Sequence, residues 1–433
     1  MNRIRGGRRK RRQVAVGVPD GALTPSAGMA AVTGLCDRLG VIEALDAAVG
    51  PVKQRARRFG AGHLLTGIAE TGLAAVTGRM MALLPAERAA ALAGGPVTID
   101  LDATDVEVCG SRKRGVAYNH QGQRVGRPHV ASWAETEVVP AADPGSGTDD
   151  PRATAPGLLR RALAALPARA RAGRRVAMRA DAGYFAGALA RAAHDEHISF
   201  AIGARRIAPL WRLLDGINDD ARADAIGMDN AQVAVAAYCP DWWPAATRLL
   251  IRRVRLDPGQ VSADPRSRRR RTLHPGQRAL PIPELAGTDV YGYSFILTSL
   301  DVSAPGQAAA VEHWYRHRTT VENIFRDSKH GAALRHLPSG YPAVNTAWMR
   351  GALLAASMAG WLHQLTTPTR GQNILAGHGV RGGKAMIATL RWRLISVPGR
   401  LTRHAGQLTL RLPPGHGLLS EILARLRALP ATS

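Results

Sequence analysis

The sequence predicts an α/β fold that carries a helical N-terminal domain and a β-rich insertion. Three observations predict it: helical apolar spacing over residues 26–95, strand-like and helix-like segments alternating over 96–207 and 288–366, and a stretch over 208–287 where strand-like segments dominate. With 433 residues, 45% of them hydrophobic, the chain can bury a large core in two or three structural units.

Residues 1–25 begin MNRIRGGRRKRR and read as a flexible basic arm, either touching phosphates or simply solvated. In 26–95 the segments MAAVTGLCDRLGVIEALDAAV and AGHLLTGIAETGLAAVTGRMMALL space their apolar residues as helices do, with Gly and Pro between them. This makes a helical domain and a candidate DNA-binding one. At Pro96 the pattern changes: VTIDLDATDVEV alternates like a strand, and LLRRALAALPARA follows as a helix. RRVAMRADAGYF then reads as a strand ending in a turn, LARAAHDEH as a helix and ISFAIGARR as a further strand, all within 96–207. Over 208–287, AQVAVAAYCPDWW and ATRLLIRRVRL read as antiparallel strands, followed by a polar loop holding Arg266 and Arg268 to Arg271. VYGYSFILTSL returns to the sheet within 288–366, and YRHRTTVENIFRDSK after it reads as one continuous helix. Residues 367–433 form a basic C-terminal region of mixed helix and strand.

The formal net charge is +25 and the pI about 11.3, an excess that favours a polyanionic partner through counterion release. Nucleic acid is the first candidate, and arginine-rich composition from GC-rich codon usage is the alternative. Cys36, Cys109 and Cys239 are scattered, which argues against a disulfide framework and a structural zinc site. The opening residues lack an apolar signal segment, and the apolar run Gly351 to Leu362 is too short to span a bilayer, so a cytoplasmic protein is expected.

Buried carboxylates at strand ends point to chemistry, because a charge beside a core is costly without a metal or a partner. In IDLDATD the alternation puts Asp100, Asp102 and Thr104 on one face, and Asp181 ends the apolar strand of RADAGYF. Either aspartate could instead be a turn or helix cap. In the helix, Tyr315, Arg318, Glu322 and Lys329 stand at offsets 0, 3, 7 and 14. At about 100° per residue they share an arc of roughly 60°, beside an apolar stripe of Trp314, Val321 and Phe325. A surface stripe with pairs such as Arg318 and Glu322 is the plain alternative. His194 and His197 have i,i+3 spacing but read as an exposed helix end.

Taken together, an Asp-x-Thr strand, an Asp-x-Gly-Tyr turn and Y-x2-R-x3-E-x6-K resemble the signature of bacterial insertion-sequence DDE transposases. The resemblance is to the group named thirteen-eighty, within the set related to insertion sequence four. It extends to AGMAAVTGLCDRLGVIEAL near the start and to LRWRLISVPGRLTRHAGQLTLRLP in the basic tail. It implies a ribonuclease-H-like core in which Asp102, Asp181 and Glu322 hold two Mg²⁺ ions, with Mn²⁺ able to substitute. It implies that Tyr315, Arg318 and Lys329 hold transposon-end phosphates, and that the insertion over 208–287 is a β-rich subdomain of the kind relatives carry. Trp242 and Trp243 either stack on a flipped base or pack in the core, and Arg268 and Arg269 belong to a loop that either faces phosphates or is solvated.

The implied activity is cut-and-paste transposition on double-stranded DNA, by a homodimer associated with the bacterial nucleoid. One departure stands out: LLPAERAAALAGGPVTIDLD is shorter than the family pattern between the helical domain and the first strand. That favours the alternative of a catalytically inactive DNA-binding relative acting as a repressor. A general ribonuclease-H-like nuclease is the third reading, and the full Y-R-E-K set disfavours it.

Overall fold

A computed structural model describes residues 14–17, 27–38, 40, 53–55, 58–59, 90, 92, 94–171, 176–285, 288–366 and 386–429. The chain divides into two compact units, one of residues 92–325 with 335–349, the other of 1–91, 326–334 and 350–433.

The first unit is built on a nine-stranded mixed sheet. Its elements in chain order are β1 (Val97–Ala103), β2 (His129–Trp133), β3 (Val138–Asp143), α1 (Pro151–Ala165), β4 (Val176–Ala180), α2 (Gly187–Asp195) and β5 (Ser199–Gly203). They continue with β6 (Ala223–Asp224), β7 (Ala231–Ala236), β8 (Arg248–Leu256), β9 (Val290–Thr298), α3 (Pro305–Arg316) and the first residues of α4 (Thr319–His330), whose residues 326–330 belong to the other unit. The strand order is β6-β7-β8-β9-β5-β4-β1-β2-β3. β1, β4 and β5 are parallel neighbours, and the remaining pairings are antiparallel.

The parallel centre reads as sequence should when both faces are covered: Val97, Ile99 and Leu101 of β1 and Met178 and Ala180 of β4 are buried. α1 starts at Asp150, whose side chain accepts from the amide of Arg152, with Pro151 in the first turn where a missing N–H costs nothing. It buries Leu158, Leu159 and Leu163 and packs on β1, β2, β3 and α2. Burying such side chains contributes about 1.5–3 kcal/mol each.

The insertion behaves differently from a separate subdomain. β6, β7 and β8 join the central sheet through β9, extending it past β5. The arginine stretch expected as a loop includes a short helix, Arg268–Thr272, because Ser267 caps it and Arg270 turns inward to donate to the carbonyls of Arg278, at 2.7 Å, and Leu280.

In the other unit, Val14–Gly17 is a strand parallel to Gln407–Arg411, which pairs antiparallel with Arg400–His404. The arm expected over 1–25 is therefore partly sheet, since the run VAVG has an apolar strand to pair with; residues 1–13 lie outside the described residues. Helix Met29–Arg38 packs on helix Gly417–Ala428, where Arg38 donates to the carbonyls of Leu429 and Arg427 at 3.0 and 2.9 Å. Of the helical domain expected over 26–95, this helix is described; the segment AGHLLTGIAETGLAAVTGRMMALL lies outside the described residues.

Candidate active site

The strand ends of β1 and β4 are neighbours in the sheet, so parallel pairing brings the residues that follow them to one edge. Asp102 sits at the end of β1, where its Oδ1 accepts from the amide of Ala103 at 2.8 Å. Asp181 follows β4 directly, and its Oδ1 accepts from the amide of Gly183 at 2.9 Å, capping the turn Ala182–Tyr184. Burial first, and the negative charge of Asp181 further, push the Asp102 carboxyl up to about 6, against the pull of Arg318. The structure thus brings the two sequence-predicted aspartates into one electrostatic site.

Arg318 is the cation beside them. Its Nη2 lies 3.2 Å from Asp102 Oδ2 and 3.4 Å from the carbonyl of Leu101. Burial opposes its charge, but Tyr315, Asp102 and Asp181 outweigh that and hold it more firmly protonated. The Tyr315 hydroxyl donates to the carbonyl of Ala180 at 3.1 Å, one residue before Asp181. Its donor is engaged with the strand end, so Tyr315 fixes the position of the Asp181 turn, where the stripe reading had it facing outward.

The continuous helix expected from Tyr315 to Lys329 is two helices. α3 ends at Arg316, His317 and Arg318 are non-helical, and α4 starts at Thr319. His317 leaves the helix with φ −81° and ψ 54°, so angular offsets computed across it do not hold. The apolar side survives the break, with Val321 and Phe325 buried. Glu322 stands in the first turn of α4 and is exposed. Among the described residues no three His, Cys, Asp or Glu side chains gather closely enough to hold a metal ion, so Glu322 is not drawn in with Asp102 and Asp181. Lys329 lies in the last turn of α4, among the residues of the other unit.

The tryptophan pair splits. Trp243 is buried at 5% exposure against Phe185 and Phe200, with ring centroids 5.5 and 5.8 Å away, whereas Trp242 is 60% exposed. Trp242 lies against Gly187 at the start of α2, and its carbonyl accepts from Arg191. Arg268 and Arg269 are exposed, and Arg269 donates to the side chain of Gln260 at 2.5 Å. His194 is exposed, as expected of a helix end.

One residue that shapes the geometry, Gly203, was not singled out from sequence, and another, Tyr184, was read there only as the last position of its turn motif. A Cβ on Gly203, at the end of β5, would stand 2.6 Å from the Tyr315 hydroxyl and 2.8 Å from the amide of Ala182. Only glycine permits this approach of Tyr315 and the Asp181 turn. Tyr184, the last residue of the Asp-x-Gly-Tyr turn, is buried with its hydroxyl unpartnered among the described residues, and its ring lies edge-on to His129 at 6.3 Å. Burial, then the charges of Asp102 and Asp181, push its hydroxyl well above the usual tyrosine range.

The donor set fits a divalent cation. Two hard carboxylates converge, and burial with mutual repulsion makes ionised Asp102 costly, a cost that Arg318 offsets only in part and a divalent cation would relieve.

A model of the transposase DDE domain matches residues 93–358, well over half of the chain. A search of curated proteins finds no match. A solved structure similar to this chain is that of a piggyBac transposase synaptic complex with hairpin DNA, at 10% identity and a TM-score of 0.38, over 78% of this chain and 55% of that one. This chain therefore spans about half the length of that transposase. No helix among the described residues is long and apolar enough to cross a membrane. With the family model lying across both aspartates and the sheet that pairs them, the chain belongs to the DDE transposases.

Proposed function

We propose that this transposase cleaves phosphodiester bonds at the ends of its insertion sequence and joins the freed 3′-hydroxyl to target double-stranded DNA, acting as a homodimer in the bacterial cytoplasm at the nucleoid. The observation that carries the reading is the pairing of Asp102 and Asp181 at the C-terminal ends of two adjacent central strands, with the Asp102 carboxyl raised. The strand order β3-β2-β1-β4-β5 supports the ribonuclease-H-like core, and the Y-R-E-K residues support the thirteen-eighty group.

Asp102 and Asp181 are the residues that would hold Mg²⁺, and Glu322, in the first turn of α4 and apart from them here, is the third ligand that the resemblance implies. Bound Mg²⁺ would activate the attacking oxygen and offset charge on the phosphate. The chain's own contribution is positional. Tyr315 and Gly203 fix the Asp181 turn, while Arg318 supplies positive charge where the scissile phosphate would lie. Lys329, Arg268, Arg269 and the exposed Trp242 belong to the proposed DNA contact; Trp243 serves the core.

The test is purified full chain on a plasmid carrying the gene with several hundred flanking base pairs. Mg²⁺-dependent excision is expected, absent in Asp102→Asn, Asp181→Asn and Glu322→Gln. A second reading is favoured by the Arg318 contact to Asp102 and by the separate placement of Glu322: a DNA-binding relative that represses transposition. Tight binding of the plasmid ends by the wild-type chain, with no cleavage in Mg²⁺ or Mn²⁺, would establish that reading and overturn the first.

A further inference from the structure

Beyond β5 the chain carries arginines that the cleavage chemistry does not use. Gly203 is followed two and three residues later by Arg205 and Arg206, which diverge. Arg205 Nε reaches the carbonyl of Ala182, the residue after Asp181, at 3.5 Å. Arg206 points to β9, where its Nε and Nη2 donate to the carbonyl of Tyr293 at 3.2 and 3.1 Å. The residue before Tyr293 is Gly292, and there the helix Arg268–Thr272 is pinned: a Cβ on Gly292 would stand 2.8 Å from Thr272 Oγ1, and Leu273 bridges to Gly292. Arg270 is the inward anchor of that helix, which leaves Arg268 and Arg271 exposed.

The charges in this group are not balanced locally. Neither Arg268 nor Arg271 has a carboxylate within ion-pair distance among the described residues. Crowding around its guanidinium lowers Arg206, and the charges of Arg271, Arg268 and Arg252 lower it further, although the residue as a whole is exposed. Arg252 is itself paired with Glu312 at 2.6 Å, and Asp150, which feels the charge of Arg205, is already held by Arg152 at 2.8 Å. Guanidiniums held by backbone carbonyls are pre-organised and keep donors for a ligand, and the ligand that relieves like charges in a row is a row of phosphates.

We infer that Arg205, Arg206, Arg268 and Arg271 form a phosphate track that carries the DNA backbone from the Asp102–Asp181 pair out along the inserted strands. This rests on the transposase reading above and assigns its substrate a path. Contacts of this kind bind without regard to sequence and act through counterion release.

The experiment measures binding of the full chain to a 40-base-pair duplex of arbitrary sequence by fluorescence anisotropy across about 50–200 mM salt. Arg206→Ala with Arg271→Ala should lower the slope of log affinity against log salt by about 1.8, at roughly 0.9 per phosphate contact, and weaken binding at least tenfold at 100 mM. Arg206→Lys with Arg271→Lys should retain most of the slope. A charge-matched control lacking the exposed Arg112 and Arg335 should keep the wild-type slope, and thermal melts should confirm that every variant is folded at the assay temperature, with the alanine pair lowered only by the loss of the Arg206 bonds to Tyr293. Wild-type binding with an unchanged slope in the alanine pair, or an equal loss in the control, would overturn the track and leave the transposase reading standing. No duplex binding by the wild-type chain would overturn both.

Discussion

Asp100 and Asp102 occupy the same strand, two residues apart on the same face, and the structure treats them in opposite ways. Asp100 is fully buried and takes a two-pronged contact from Arg179, Nε at 2.6 Å and Nη2 at 2.8 Å. Arg179 also donates to the carbonyl of Trp314 and lies over its ring at 4.9 Å, and Trp314 Nε1 reaches Thr98 Oγ1 at 3.2 Å. That carboxylate is a rivet between β1, β4 and α3. Asp102, with 20% of its side chain exposed, has one ion-pair contact at 3.2 Å and a second carboxylate nearby. The comparison separates an acid whose charge is fully answered, which serves the fold, from one whose charge is under-answered, which is available to a ligand.

Four experiments put this contrast to the test. The largest effect is on catalysis: Asp102→Asn or Asp181→Asn should lower strand cleavage by at least about 10³-fold, more than about 4 kcal/mol of barrier, with duplex binding within about twofold of wild type. Cleavage assays beside binding titrations would show it, and Asp100→Asn losing cleavage only in proportion to its folded fraction would complete the contrast.

Next, Arg179→Met should destabilise the fold by about 3–5 kcal/mol, because it strands the buried Asp100 carboxylate. Urea melts read this directly, and a loss below about 1 kcal/mol would mean that the Arg179 contact is not what holds β1, β4 and α3 together.

The third effect has the opposite sign. The Asp102 carboxyl is raised from 3.8 to about 6 on folding, so its ionisation opposes folding above that range. The penalty is present in full above about pH 6, shrinks as pH falls between about 6 and 4, and is absent below the unfolded value. At about 1.4 kcal/mol per pH unit, Asp102→Asn should stabilise the metal-free protein by a few kcal/mol at pH 8 and by nothing near pH 3.5. Melts in chelator at both pH values test it, and a stability loss at pH 8 would show that the Arg318 contact outweighs burial.

The smallest effect lies in the other unit. The hairpin between Arg400–His404 and Gln407–Arg411 turns on Ala405 and Gly406, both at positive φ, 46° and 78°. Asn-Gly suits such a turn, so Ala405→Asn should add about 0.5–1 kcal/mol to the unit's stability and leave cleavage unchanged.

Much of the sheet was legible in sequence because its strands are short apolar runs closed by Gly, Asp or Pro. VTIDLDA, RRVAMRA and ISFAIG could hardly be anything else, and LLRRALAALPARA could hardly pack other than by one face. Asp102 and Asp181 were readable because a strand end beside a turn is where a carboxylate can be both fixed and reachable. The break at His317–Arg318 was not readable, since neither residue is a Gly or Pro and the stretch keeps a helical pattern on both sides; tertiary contacts of Trp314, Tyr315 and Arg318 with the sheet decide it. Nor could spacing show that the insertion extends the central sheet, because strand pairing between β5 and β9 is set about 100 residues apart in the chain. The Trp242–Trp243 pair was ambiguous for a simpler reason. The sequence reads as strand up to the pair, but β7 ends at Ala236 and both tryptophans lie in the turn before β8, where no alternation tells which ring is in.

Gly203 has a consequence for how copies of such genes are judged. Every single-base change in the first two positions of a glycine codon introduces a side chain or a stop, and any side chain here would meet the Tyr315 hydroxyl and the turn that presents Asp181. One nucleotide can therefore displace the turn that presents Asp181 while Asp102, Asp181 and Glu322 all remain in the sequence, and loss of the proposed cleavage is the expected result. A census that scores mobile elements as live by their acidic residues alone would count such a copy among the living, and the glycine at the end of the fifth strand is the letter to check beside them.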